Sequence, residues 1–334
     1  MIARRFCLAL ACAALTTPAA RAEDFYKGKT ITILVGFSPG GGFDINARLL
    51  ARHLGRFIPG RPEVVVTNMP GASSLTAVQY LDTRAPKDGT VIDTFNFGLI
   101  SDSKLFPERV KADFRGYGWI GSISVDVTVC YTWGALGLKT LDDLRKREVL
   151  VGSSGRSSET YINPAVMNVH LGTKFKIVTG YSGVAAVNLA AERGESEASF
   201  TTWNDVWNNH ADWLRDKKIT VMFQIALAKK VADVPLLVDV ADDEMARAVI
   251  EFMSSSSQMG QSWVGPPGMA PDILAALREA FDATMRDPDY VEAMRKGNLE
   301  INPMGGADLA AVVAKTIGSP RAVVDAYQAA VAGQ

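Results

Sequence analysis

Residues 30–57 constrain this chain more than any other stretch. Residues 31–35 are a short β-branched apolar run, too short for a helix and suited to a strand buried on both faces. Positions 36–42 then hold Gly36, Gly40, Gly41, Gly42 and Pro39, which neither a strand nor a helix tolerates. Asp44 follows, and Ile45, Leu49, Leu50, Leu54 and Phe57 recur at helical spacing. The stretch predicts strand, glycine loop, helix, with Asp44 as the N-cap. Such a loop turns backbone N–H groups outward at the positive end of a helix, where an anion is stabilised.

The pattern recurs. Residues 64–67 read as a second strand, 68–74 as a turn-rich loop with Ser73 and Ser74, and Leu75 as a helix start. A third strand over 91–97 carries Asn96 near its end. Strand, loop and helix in succession predict βαβ units, a parallel sheet and a ligand site at the carboxyl ends of its strands. Residues 119–125 and 127–131 read as strands that cross to a new block. Thr140 caps a helix with Asp143 at the third position, a capping box in which Asp replaces the usual Glu. Strands follow near 149–151, 176–178, 198–202 and 219–225, with small-residue loops at 152–158 and 181–183. Residues 254–258 read as a polar linker, Asp272 as the cap of a helix to about Met285, and the alanine-rich tail from Ala307 as helical. The fold class is therefore α/β, with a second lobe (126–228) inserted into a discontinuous first lobe (23–125 and 229–334).

Residues 1–22 read as a cleaved secretory signal. Arg4 and Arg5 form a basic start, an apolar run follows, and Ala20-Arg21-Ala22 matches a cleavage site. The run is much shorter than the roughly 20 apolar residues of a membrane span. Cleavage near Ala22 predicts a periplasmic protein. It removes Cys7 and Cys12, so Cys130 has no intramolecular disulfide partner. It also removes three of the 35 basic residues and none of the 36 acidic ones, leaving a net charge of −4. That balance excludes nucleic acid as a partner but leaves room for a small anionic ligand, which responds to local charge.

Catalytic motifs fail on particular residues. Gly36-Phe37-Ser38-Pro39-Gly40 matches G-x-S-x-G, but the elbow needs an N–H on the residue after the serine, and Pro39 has none. Residues 40–42 lack the G-x-G-x-x-G spacing, and Gly28-Lys29-Thr30 lacks the upstream glycine of a P-loop. No cysteine pair or H-E-x-x-H offers a metal site. The reading is a non-enzyme without cofactor or metal, and a monomer.

Several segments taken in order resemble the Bug family, the extracytoplasmic receptors of tripartite tricarboxylate transporters. They are the loop from Gly36 to Asp44 with Ala47-Arg48-Leu49-Leu50, Asn68-Met69-Pro70-Gly71, Pro86-Lys87-Asp88-Gly89, Gly152-Ser153-Ser154-Gly155, Tyr181 with Gly183, Asp233-Val234-Pro235 and Gly265-Pro266-Pro267-Gly268. The resemblance covers nearly the whole chain after the leader. It implies a two-lobed periplasmic binding protein of the Venus-flytrap type (type II), hinged, with a ligand cleft between the lobes. It implies a mono- or dicarboxylate ligand and the membrane subunits of such a transporter as partners. A carboxylate-sensing subunit of a two-component system is the alternative. The implied ligand residues are Phe37, Ser38, Pro39, Gly40, Gly41, Gly42 and Asp44 on one loop. On the other are Ser153, Ser154, Gly155, Arg156, Ser157 and Ser158. Ser73, Ser74, Asn96, Tyr181 and Trp203 complete the set.

The chain departs from the family's usual second loop, which reads Gly-Ser-Ser-Gly-Asn-Gly-Ser. Arg156 and Ser157 stand at the Asn and second Gly positions, and Glu159 and Tyr161 stand where Thr and His are usual. Arg156 fits a clamp on a second carboxylate, which predicts a dicarboxylate preference, or else a loop arginine paired with Glu159. Trp203 and Trp207, four apart, fit a stacking wall or lobe packing. Asp44 fits a cap or an acceptor for a ligand's hydrogen bond.

Overall fold

The structure, a computed structural model, describes residues 25–333 apart from 126, 157, 229, 230 and 256–258. The proposed leader, residues 1–22, and Ser157 lie outside the described residues.

The molecule has two lobes, each built on its own mixed sheet. The first sheet contains β1 (Thr30–Val35), β2 (Glu63–Asn68), β3 (Val91–Thr94), β4 (Gly118–Ser122), β10 (Ser262–Gly265) and β11 (Met304–Gly305), in the order β11-β4-β10-β3-β1-β2. The second contains β5 (Thr128–Trp133), β6 (Val149–Ser153), β7 (Phe175–Thr179), β8 (Ala198–Thr202) and β9 (Ile219–Ile225), in the order β7-β6-β8-β5-β9. Helices α1 (Gly42–Leu54), α2 (Leu75–Thr83) and α3 (Gly98–Leu105) follow β1, β2 and β3. In the second lobe α4 (Leu141–Lys146) precedes β6, and α5 (Glu159–Leu171), α6 (Val184–Glu192) and α7 (Trp203–Asn209) follow β6, β7 and β8. Then come α8 (Ala211–Arg215), α9 (Glu244–Ser255), α10 (Pro271–Arg286), α11 (Pro288–Lys296), α12 (Gly306–Ile317) and α13 (Arg321–Ala332).

Burial explains the central strand. Ile31, Ile33, Leu34 and Val35 are all buried, so β1 is covered on both faces, as a parallel strand between helical layers must be. The sheets are mixed rather than purely parallel. β10 returns from the second lobe and inserts antiparallel between β3 and β4, and β5 runs antiparallel to β8 and β9. The Thr140–Asp143 capping box is formed, with the Asp143 carboxylate accepting from the Thr140 N–H at 3.0 Å.

Four sequence expectations are corrected. β3 ends at Thr94, because Asn96 turns the chain by accepting the Gly98 N–H at 3.1 Å. The expected linker begins as helix: Ser254 and Ser255 are buried in α9, their hydroxyls satisfied by Ile250 O and Phe252 O at 2.7 Å. Ala270, not Asp272, is the N-cap of α10, because Pro271 has no N–H to lose and occupies the first turn. Finally, α9 and α13, expected in the first lobe, pack on the second sheet. Val249, Ile250, Val323, Val324 and Ala330 join Val149, Val151 and Phe200 in one core. The amphipathic faces of these helices cover apolar surface that β6 and β8 alone would leave wet.

Candidate functional site

β1 lies between β2 and β3, with Val35 opposite both Asn68 and Thr94. Three parallel strands therefore end level, and three loops leave the same edge, each running into a helix. Ser38 to Gly42 are exposed, while Phe37 stacks on Phe43 with ring centroids 4.3 Å apart. The first two loops are locked together. The Ser74 hydroxyl donates to Gly36 O at 3.0 Å, and a Cβ on Gly36 would lie 2.5 Å from the Ser74 Cβ. Ala72, Ser73 and Ser74 all have positive φ (46°, 54° and 76°), a run of left-handed backbone without glycine. Such strain persists only where surrounding contacts hold it, and it concentrates at functional sites. Here it holds Ser73 exposed at the tip and Ser74 buried beneath.

Asp44 is not the N-cap, which is Gly41; it sits in the first turn of α1. The chain enters the helix three residues early because Gly41 and Gly42 accept the turn. Asp44 is buried, and its carboxylate is saturated by protein donors: the Gly40 N–H at 2.8 Å, Asn68 Nδ2 at 2.8 Å and the Arg48 guanidinium at 2.9 Å. The Arg48 hydrogen bond, helped by Gly40 and Asn68, lowers its pKa to about 2 against the desolvation that raises it. Asp44 thus holds the glycine loop from behind. Asn68 also donates to Phe37 O at 3.0 Å, tying the second loop to the first.

The second lobe repeats the device. β6 lies between β7 and β8 and runs parallel to both. The loop after it is held by three hydroxyls. Buried Ser153 lies 3.1 Å from Thr160 Oγ1 and accepts the Gly155 N–H at 3.2 Å. Thr160 Oγ1 accepts the Ser154 N–H at 3.2 Å, and Ser158 donates to Gly155 O at 2.7 Å. Ser153 and Ser158 are therefore scaffold in part, and Thr160, absent from the expected set, is a third member. Tyr181 packs over Gly152, where a Cβ would come within 3.0 Å of its ring. Trp203 is half-buried against the cluster that contains Trp213, while Trp207 is 60 % exposed, with the two ring centroids 5.8 Å apart.

Arg156 stands 5.2 Å from the Tyr161 ring and lines a cavity of about 760 Å³ between the lobes. Of the expected residues that are described, the cavity takes only Asn96 and Arg156. It is otherwise bounded by side chains the sequence did not single out, among them Asp102 of α3, Glu159 and Asn163 of α5 and Tyr327 of α13. Burial raises the pKa of Asp102, partly offset by Arg109. Asn163 carried a readable signal, an amide in a helix face that otherwise buries Ala165, Val166 and Met167. Tyr327 carried none, since only the fold brings α13 here. Among the described residues no group of three His, Cys, Asp or Glu side chains is placed to hold a metal ion.

No family model matches the chain. Two curated relatives match over most of both lengths. The UPF0065 protein in the gbd 5′ region of Cupriavidus necator is 23% identical over 325 residues, covering 92% of this chain and 90% of that protein. The UPF0065 protein in the ttuE-ttuC′ intergenic region of Agrobacterium vitis is 26% identical over 297 residues, covering 86% and 80%. Among solved structures, a TctC solute-binding protein from Polaromonas without ligand superposes with a TM-score of 0.71 at 18% identity, covering 90% of this chain and 99% of that one. The chain is thus similar over most of its length to UPF0065 proteins and has the fold of the TctC and Bug solute-binding proteins. Two further structures with this fold contain carboxylates. MatC from Rhodopseudomonas palustris with bound malate has a TM-score of 0.54 at 19% identity, covering 89% of this chain and 99% of that one. An R. palustris protein with adipate has a TM-score of 0.55 at 16% identity, covering 90% and 98%.

Proposed function

We propose that this protein is an exported, non-enzymatic receptor that captures a small organic carboxylate between its lobes and presents it to the membrane subunits of a tripartite tricarboxylate-type transporter. The observation that carries this reading is the doubled anion seat. Each lobe sends small-residue loops from the ends of parallel strands into helix N-termini, where preorganised N–H groups replace a carboxylate's lost hydration. Fold relatives containing malate and adipate support it. The glycine loop, Ser73, Asn96 and residues 153–156 are the proposed ligand contacts. Residues 126–228 are the proposed inserted lobe, with α9 and α13 packed onto it. A thermal-shift screen of the mature protein against a carboxylate library tests the reading, since a ligand at 100 times its Kd stabilises by about 2.7 kcal/mol. No shift with any acid would refute it.

Two expectations follow. A saturating acid closes the lobes by hinge motion, so small-angle scattering shows a smaller radius of gyration with ligand. An unchanged radius would argue for a rigid site. Ser38 is not a nucleophile: Pro39 supplies no oxyanion N–H, and each histidine is engaged elsewhere, His53 at Asp287, His170 at Ala326 O and His210 at Asn188. A fluorophosphonate probe leaves the protein unlabelled; stoichiometric labelling of Ser38 would make it a hydrolase.

A further inference from the structure

The cavity beside Arg156 is larger than a bare carboxylate needs, and its wall is chemically uneven. At about 760 Å³ it lies within the range of sites that enclose whole organic ligands. Apolar side chains from both lobes supply much of the lining: Leu105 and Phe106 from the first, Ile162, Phe252 and Val331 packed on the second. Among the described residues its one basic side chain is Arg156, with Asn96 and Thr128 also in the wall. Two carboxyl side chains, Asp102 and Glu159, line the same space. A second ligand carboxylate would be pushed against like charge in a partly desolvated site. The dicarboxylate preference expected from Arg156 alone therefore does not fit its surroundings.

Asn163 gives the second observation. It is 3 % exposed and lines the cavity, and its amide nitrogen has no hydrogen-bond partner among the described residues. A buried donor left unpaired costs free energy that a ligand recovers by pairing it. A neutral oxygen suits this position, because a hydroxyl or carbonyl satisfies the amide without adding charge near Glu159, one helical turn away.

We infer that the ligand is a monocarboxylate whose apolar body, aryl or alkyl, extends from Arg156 into the cavity between α3, α5 and α13 and sets a neutral hydroxyl or carbonyl oxygen against Asn163. This rests on the carboxylate reading above and narrows it. Specificity built this way is steep, because a site that hydrogen-bonds a ligand hydroxyl rejects the analogue lacking it.

Titration calorimetry with four acids tests the inference: 3-(4-hydroxyphenyl)propionate, 3-phenylpropionate, adipate and propionate. The hydroxylated aryl acid binds about tenfold tighter than the bare one, as one good hydrogen bond supplies, and adipate binds more weakly than both. In Asn163→Leu the two aryl acids bind within about twofold of each other. Val331→Trp narrows the cavity from α13, and it loses both aryl acids while keeping propionate. A variant that melts below the wild type but retains propionate binding is still informative, since the readout is the ratio between acids. Adipate binding tighter than both aryl acids overturns the inference and leaves the carboxylate receptor standing. A hydroxyl preference that survives Asn163→Leu overturns the role of that amide. Failure of all four acids when other library carboxylates bind overturns the inference alone; failure of the whole library overturns the receptor reading with it.

Discussion

Asp44→Ala destabilises the first lobe by about 2–4 kcal/mol and abolishes the proposed carboxylate binding, because it removes a buried acceptor that three donors share. The Gly40 N–H, Asn68 Nδ2 and Arg48 all converge on this one carboxylate. Without it the amide of Asn68 and the N–H of Gly40 face an apolar methyl, and the loop 36–42 loses the anchor that fixes its outward N–H groups. Part of the Arg48 contribution is discounted, since that side chain is 45% exposed and solvent screens it. Asp44→Asn separates the two effects. It keeps the shape and one acceptor oxygen but sets an NH₂ against one of the donors, so it binds weakly while remaining folded. The acid dependence follows from the lowered pKa of about 2. A carboxyl with a depressed folded pKa stabilises above its unfolded value, near 4, and that contribution is lost as pH falls toward 2. Urea denaturation at pH 7 and pH 3 shows the gap between wild type and Asp44→Asn narrowing at pH 3. A constant gap would mean that the carboxylate is not held as described.

Asp93→Asn acts in the opposite direction and stabilises the protein at neutral pH. Asp93 sits in the middle of β3, fully buried, with neither carboxyl oxygen hydrogen-bonded among the described residues. Burial pushes its pKa well above the usual carboxylate range. A raised folded pKa means that the native state holds a proton the unfolded chain releases. Stability is therefore full below the unfolded value near 4 and falls as pH rises toward the folded value, by about 1.4 kcal/mol per pH unit while that window lasts. Asparagine has no proton to lose and removes that slope. Thermal melts from pH 4 to pH 8 show the variant level with wild type at the acid end and increasingly more stable toward the alkaline end. Parallel curves would show that Asp93 is ionised and compensated in the native state.

The sequence exposed those parts of the fold that depend on neighbours in the chain. The run 31–35, the glycines after it and the helical spacing from Ile45 form a local pattern, and β1, its loop and α1 stand where it puts them. The Thr140 capping box is likewise a matter of three residues. What failed needed distance. Asp44 looked like a cap because caps follow loops, yet its role is set by Asn68, a residue from the next strand. The amphipathic faces of α9 and α13 announce that each is buried without saying against which sheet, and the chain returns to the second lobe for both. The site divides the same way. The loops were legible from glycine and serine, whereas Tyr327 reaches the cavity only because α13 packs against α5.

The last helix carries a mechanical consequence. The chain passes from one lobe to the other between β4 and β5, again between α9 and β10, and a third time between α12 and α13, where Gly318, Ser319 and Pro320 make the join. From the second lobe, α13 still reaches back, with Gln328 Nε2 donating to Leu105 O at 3.0 Å. A body joined by one strand can swivel about any axis, and each further strand removes a degree of freedom. Three joins and a side-chain strut permit a narrow family of paths between separated and joined lobes. Lobes that close on a ligand as proposed are then already aligned, so little orientational freedom remains to be lost on closure.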